Sequence, residues 1–374
     1  MLESASNMTP APGSFIAEEL EARGWTQLDL AFVLGVTGQS INPIIHGKRG
    51  IGPDMAKALA KAFDVPAEFF TNLQAAYDLS QANEPDPAVE RRARLQEHFP
   101  VRDMIKRGWF EPGDSVMLDT QIARFFEVDD LDSVPYMMQH AAKKTHYEET
   151  LPAQLAWLFR VRQLARAMTV AAYSEKTLRA LLEKLATMRA EPEETRHVPR
   201  LLSECGVRFV VVEALPRAQI DGVCFWLNAS APVIGMSMQK DRIDNFWFVL
   251  RHEIEHVLRK HGQEKECIDL DISAEPAEGI EPEEERLANE AAADFCVPTD
   301  QMTNFVARVR PFFYEHRVLM FAQRMQVHPG LVVGQVQRRT KNYAFLRKHQ
   351  VKVRQFVVPS AMVDGWGNVA PVSL

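Results

Sequence analysis

Residues 251–258 read Arg-His-Glu-Ile-Glu-His-Val-Leu, preceded by the apolar run Phe246-Trp247-Phe248-Val249-Leu250. The H-E-x-x-H spacing constrains the chain more than any other feature. On a helix, residues four apart share one face, so His252 and His256 can converge on one metal ion. Glu253, one residue on, can reach a water held there and act as general base. A catalytic zinc site needs a third protein ligand and an open position. The segment Glu285-Arg-Leu-Ala-Asn289-Glu-Ala-Ala-Ala-Asp-Phe-Cys-Val-Pro298 offers one on a second helix. Glu285 is the candidate carboxylate ligand, with Glu283 and Glu284 as rivals. Asn289, one turn on, is placed to accept the ring N–H of His252 or His256 and so orient that imidazole. Four side chains compete for the task of stabilising an oxyanion: Arg251, His261, Tyr314 and His316.

The region around these helices has a mixed texture. VRFVVVEAL (207–215), GVCFWLN (222–228) and PVIGMSM (232–238) are rich in β-branched and aromatic residues and bounded by turn residues, which predicts three strands of a small sheet. Most of the remainder has helical periodicity, so the expected fold class is mainly α with a small β-sheet, an α+β arrangement. The 374 residues suggest two or three domains. Residues 1–13 read as a flexible arm and 14–78 as a helix-turn-helix domain. Residues 80–87, polar with two prolines, read as a linker. A helical region is expected at 88–195, with Pro152 opening one helix and Ser174 capping the next. The metal-bearing domain follows at 196–374. Trp109 and Trp157 are expected to anchor packing.

Near the N-terminus, Thr26 and Gln27 start a short helix ended by Gly35, and Thr37 caps a second, GQSINPIIHGK. Two short helices joined by a glycine-containing turn form a helix-turn-helix. Leu28, Leu30 and Phe32–Leu34 of the first helix are expected to face the core. The second helix would enter a major groove, with Thr37 at its cap and Gln39, Ser40 and Asn42 short and polar enough to meet base edges. His46, Lys48 and Arg49 stand where phosphates would lie. Pro43 removes one N–H from that helix and suits it best in the first turn.

Two stretches resemble known families. INPIIHGKRGIGPDMAKALAKAFDVPAEFFTNLQAAYDL resembles the HigA/VapI branch of the Xre-type helix-turn-helix antitoxins and repressors. RHEIEHVLRKH followed by E-x-x-A-N-x-x-A-x-x-F-x-x-P resembles the ImmA/IrrE family of zinc metallopeptidases, over roughly 196–300 and extending to HPGLVVGQVQRR at 328–339. The resemblance implies a gluzincin-like core, a zinc ion held by His252, His256 and Glu285, and peptide-bond hydrolysis. Members with an N-terminal helix-turn-helix are thought to regulate genes by cleaving a partner. The expected partners are therefore operator DNA and a protein substrate, a repressor or antitoxin, in a stress or phage response. A homodimer is expected through the helix-turn-helix or the middle region. The alternative is a HigA-like antitoxin and autorepressor whose peptidase-like domain senses or docks without catalysis.

The first residues, MLESASNMTPAPGS, lack the charged start and apolar core of a signal peptide, so a cytoplasmic protein is expected. Apolar runs such as Phe209–Val212 are far too short to span a bilayer, so no membrane is involved. Cys205, Cys224, Cys267 and Cys296 are scattered with no C-x-x-C pair, which suits reduced core thiols. The net charge of −7 is uneven. Residues 263–285 hold ten acids and one base, whereas 308–354 hold eleven bases and one acid. The acidic stretch joins the two metal-bearing helices and can gate the site; the basic one can meet nucleic acid or rest on the acidic one.

Overall fold

A computed structural model describes residues 9–129, 151–263, 267–270 and 282–371. They form two compact units, Met1–Pro87 and Ala88–Leu374.

The first unit is all helical: α1 Pro12–Arg23, α2 Gln27–Leu34, α3 Gly38–Ile45, α4 Pro53–Phe63 and α5 Ala67–Gln81. Helix α1 starts inside the stretch expected to be a free arm. Thr26 caps α2 through a reciprocal pair: its hydroxyl accepts from the Asp29 N–H, and its own N–H donates to the Asp29 carboxylate at 2.7 Å. Gly35 ends α2 at φ 68°, a left-handed conformation that glycine adopts without strain. The core is built from Ile16, Leu20, Leu30, Ile41, Ile44, Leu59, Phe63 and Phe70. The sequence misassigned most of α2: Leu30 is buried, but Leu28 and Phe32 are 72% and 87% exposed and Val33 also faces solvent. An eight-residue helix has room for one buried stripe, and Leu30 with Ala31 fills it.

The second unit is a five-stranded sheet between two helical layers. Its strands are β1 Arg208–Val212, β2 Ile220–Trp226, β3 Pro232–Met236, β4 Cys267–Leu270 and β5 Met362–Asp364, in spatial order β4-β2-β3-β1-β5. Strand β3 runs antiparallel to β2, with Cys224 opposite Ile234, and parallel to β1, with Phe209 opposite Ile234. Strand β5 adds parallel to β1. The three strands expected from sequence are present. Strands β4 and β5 were not expected, because β4 lies in the acidic stretch and β5 is three residues long.

Side chains alternate across the sheet, and both faces are covered. Phe209, Val211, Cys224 and Ile234 pack with Phe246, Trp247 and Leu250. Val210, Val212, Val223 and Val233 pack with Trp109, Phe125 and Trp157 on the other face. Burial on both faces explains why these strands read as continuous apolar runs. Each buried valine contributes about 1.5–3 kcal/mol. The second face is covered by α6 Ala88–His98, α7 Val101–Lys106, α8 Ser115–Phe125 and α9 Pro152–Ala167. Helices α6–α9, which fall within the region 88–195, thus supply one wall of the sheet's core. Ser174 caps the next helix, α10 Glu175–Met188, by accepting from the Thr177 N–H at 3.3 Å. Helix α11 Val198–Glu204 leads into β1.

A buried polar lock ties this layer to the far end of the chain. The Trp109 indole donates to Asp364 Oδ1 at 3.0 Å, and Arg160 Nε donates to Asp364 Oδ2 at 2.7 Å. Arg160 and Asp364 are both buried. Trp157 donates to the Val212 carbonyl at 2.7 Å. Both tryptophans anchor packing, as their sequence contexts predict. Cys205, Cys224 and Cys296 are buried; the Cys267 side chain lies outside the description. No single helix among the described residues is long and apolar enough to cross a membrane.

Candidate metal centre and helix-turn-helix face

Helix α12, Ile243–Leu258, lies against the sheet and buries nearly every residue. Its start is set by Arg242, which grips Asp244 at 2.6 and 3.0 Å. Helix α13, Glu283–Cys296, packs along it. Three acids in the first turn of α13 suit the positive end of the helix dipole. These two helices bring His252, His256 and Glu285 together, with one ligand atom from each within 4.8 Å of the others. His252 Nε2 lies 3.3 Å from Glu285 Oε2, His256 Nε2 lies 3.6 Å from Oε1, and the two Nε2 atoms are 3.0 Å apart. Three donors converging from one side of a buried pocket suit a divalent transition metal. Of the rival acids, Glu283 and Glu284 are exposed, whereas Glu285 is half-buried.

Glu253 is fully buried. Gly222 on β2 makes that possible: a methyl group there would overlap Glu253 Oε1 and crowd Val249. The close approach of strand and helix that seats the carboxylate therefore depends on a missing side chain. The sequence held no signal for this, because Gly222 stands at a strand edge like any turn glycine.

His256 has a partner on its other side. Its Nδ1 lies 2.9 Å from His261 Nδ1. With Nε2 left bare to face a ligand, His256 Nδ1 would carry the proton and donate to His261 Nδ1. Burial first of all pushes the His261 imidazole below its ordinary value, which favours the neutral, accepting ring. His261 is itself fixed through its carbonyl, which accepts from the Trp226 indole at 3.0 Å. On its Nδ1 side the His256 ring thus neighbours His261. Asn289 is half-buried one turn beyond Glu285. Arg251 is committed to Glu255 at 2.7 Å. Burial pushes the Glu255 carboxyl up, but Arg251 and Arg259 outweigh it and hold the group below the usual carboxylate range. Tyr314 and His316 stack on one another at 5.9 Å. Phe248 stacks near His252 at 6.5 Å, and the Arg338 guanidinium lies 5.4 Å from the Phe248 ring. The acidic stretch expected to gate the site lies mostly outside the described residues.

In the first unit, α2 and α3 form the helix pair. Thr37 occupies the N-cap position of α3, but its hydroxyl pairs with Ser40 Oγ at 3.1 Å instead of capping the backbone. Gln39 and Asn42 are exposed and Ser40 is half-buried. Asn42 donates to Gln27 at 3.2 Å, and His46 Nδ1 sits 2.9 Å from the Asn42 carbonyl. Pro43 falls inside α3 and not in its first turn. Its carbonyl accepts from the N–H groups of both Lys48 and Arg49, at 2.7 and 3.1 Å. That turn leaves both cations exposed at one end of α3.

Comparison with known proteins agrees with this division. Residues 16–70 match the helix-turn-helix family model and residues 206–333 match the model of the IrrE N-terminal-like domain. Virulence-associated protein A' of Dichelobacter nodosus is 45% identical over 76 residues, 20% of this chain and 66% of the relative. Virulence-associated protein I of the same organism is 34% identical over 91 residues, 24% of this chain and 84% of the relative. A solved structure described as Pseudomonas aeruginosa antitoxin HigA with higBA promoter is 32% identical and covers 24% of this chain and 92% of that one, with a TM-score of 0.19. The chain spans about two thirds of the first of these relatives, and all three matches cover no more than about a quarter of the chain.

Proposed function

Because the chain belongs to the helix-turn-helix regulators of the HigA/VapI type and carries an IrrE N-terminal-like domain, we propose that it binds operator DNA and cleaves a partner protein with a zinc-dependent endopeptidase site. The observation that carries the peptidase reading is the convergence of His252, His256 and Glu285 beside the buried Glu253. Zinc, when bound there, supplies a Lewis acid and makes a water acidic near neutral pH.

The chain's own residues do the rest. His252 and His256 present Nε2 from one helix face, and Glu285 adds a carboxylate from the neighbouring helix. His261 holds the His256 ring in the tautomer that leaves Nε2 free of a proton. Glu253 accepts a proton from water on a carboxylate oxygen and passes it to the leaving nitrogen. Gly222 leaves the space that carboxylate needs. The substrate is a partner regulator, a repressor or antitoxin, whose removal changes transcription. At the DNA, Gln39 and Asn42 meet base edges with Thr37 and Ser40 at the same helix start, and His46, Lys48 and Arg49 meet phosphates.

Metal analysis tests the first part. The purified chain should hold zinc, and His252→Ala should lose it; unchanged metal content in that variant sinks the site. Glu253→Gln should keep the metal and lower cleavage by about 10²–10⁴-fold. A Glu253→Gln chain with wild-type activity in cells makes the domain a sensing or docking module instead.

A further inference from the structure

Helix α14, Thr299–Val309, and helix α15, Glu315–Met325, are joined by a short extended segment. Phe312 and Tyr314 stand two apart on it, and His316 follows in the first turn of α15. Side chains two apart in an extended chain share one side. The intervening Phe313 obeys the same rule and turns inward, packing on Phe345 at 6.1 Å. Phe312 and Tyr314 are 66% and 54% exposed. Their ring centroids lie 6.2 Å apart with planes inclined by 31°, and Tyr314 and His316 lie 5.9 Å apart at 22°. The Arg317 guanidinium adds a fourth planar group, 5.9 Å from the Tyr314 ring. The result is a ladder of near-parallel faces open to water.

The ladder sits in the most basic tract of the chain. Its one acid, Glu315, is engaged by Lys348 at 2.7 Å and His349 at 2.8 Å. Those hydrogen bonds hold its carboxyl below the usual range, so it stays a carboxylate with its charge matched. Arg310, Arg317 and Arg339 are exposed, and none of them is in an ion pair among the described residues. Exposed cations, one of them Arg317 beside the Tyr314 ring, together with exposed aromatic faces call for a ligand that brings both anionic charge and flat apolar rings.

We propose that this ladder binds single-stranded DNA, with bases stacking on Phe312, Tyr314 and His316 and phosphates drawn to Arg310, Arg317 and Arg339. Duplex DNA hides the base faces in its own stack, so it cannot use the rings. Ring faces and guanidinium groups make no use of a ribose 2′-hydroxyl, so a deoxyribose strand meets every requirement of the site. This site is separate from the helix-turn-helix face, and neither the peptidase reading nor the operator reading is needed for it.

The test is fluorescence anisotropy of a labelled oligothymidine with the full chain carrying Lys48→Gln and Arg49→Gln, which removes the proposed phosphate contacts of the first unit. Binding should survive those changes. Adding Phe312→Ala with Tyr314→Ala should weaken it about 5–100-fold, as loss of base stacking does. Phe312→Trp with Tyr314→Trp should retain it, which separates stacking from mere folding. Arg310→Gln with Arg339→Gln should lower the slope of log affinity against log salt by about 1.4. Four results overturn the proposal: no binding by the starting chain, unchanged affinity in the double alanine variant, equal competition by a duplex, or tighter binding to oligouridine.

Discussion

In the first unit the residues assigned to a ligand face water: Gln39, Asn42, His46, Lys48 and Arg49 are all exposed. In the second unit they are sealed: His252, Glu253 and His256 have no accessible surface. The exposed set is held by single hydrogen bonds between neighbours, such as Asn42 to Gln27. The buried set is held by a helix pair, a sheet, a cleared glycine position and a further histidine. The difference follows from what each ligand requires. DNA supplies its own rigid surface and its phosphates tolerate flexible cations. A metal site must fix three donors closely, and only close packing does that.

This contrast can be broken at several depths. The largest effect is expected at Asp364→Ala, which leaves Arg160 buried without its anion and should destabilise the second unit by about 3–5 kcal/mol. Calorimetry should show the melting of that unit lowered and that of the helix-turn-helix unit unchanged; a shift in both would end the separation drawn here. Next comes His261→Ala, which removes the acceptor for His256 Nδ1 and should weaken metal binding about 10–100-fold. A competitive chelator titration reads it, and unchanged affinity shows that His256 is oriented by packing alone. On the exposed side, Lys48→Gln should reduce the slope of log affinity for duplex DNA against log salt by about 0.9. A slope that does not move removes Lys48 from the phosphate contacts. The smallest effect concerns the α2 cap. Thr26 holds the Asp29 carboxyl below its ordinary value through its N–H and hydroxyl. A depressed carboxyl pKa stabilises above the unfolded value and is lost as pH falls through the folded one. NMR titration of Asp29 should therefore move upward in Thr26→Ala, and no movement would show that the backbone bond alone sets it.

Much of the metal site was legible because its chemistry is local. His252, Glu253 and His256 lie within one helical turn, and Glu285 follows at the head of a second helix, so spacing alone places them. His261 was visible only as a candidate for another task, since the turn that brings it back past the end of α12 has no periodicity. Gly222 was invisible: its importance lies in a contact with residue 253, and a strand glycine looks the same whatever sits above it. The sheet showed three strands through their apolar runs, but β5 pairs only because β1 offers an edge. The layer formed by α6–α9 read as part of a separate region, 88–195, for a related reason. Its apolar residues show that it packs, and not against what.

The Asp364 lock also orders events during synthesis. Arg160 and the helices around it leave the ribosome some two hundred residues before their anion does. Until Met362–Asp364 arrives, β1 keeps an open edge and Arg160 has no buried partner to go with. The helices that carry His252, His256 and Glu285 are made before the sheet beneath them is closed, so the second unit acquires its finished form late. A chain cut short before residue 364 would carry all of His252, Glu253, His256 and Glu285 and still lack the strand that fixes the floor under them. The lock thus makes the floor under Glu253 depend on a residue far along the chain from it.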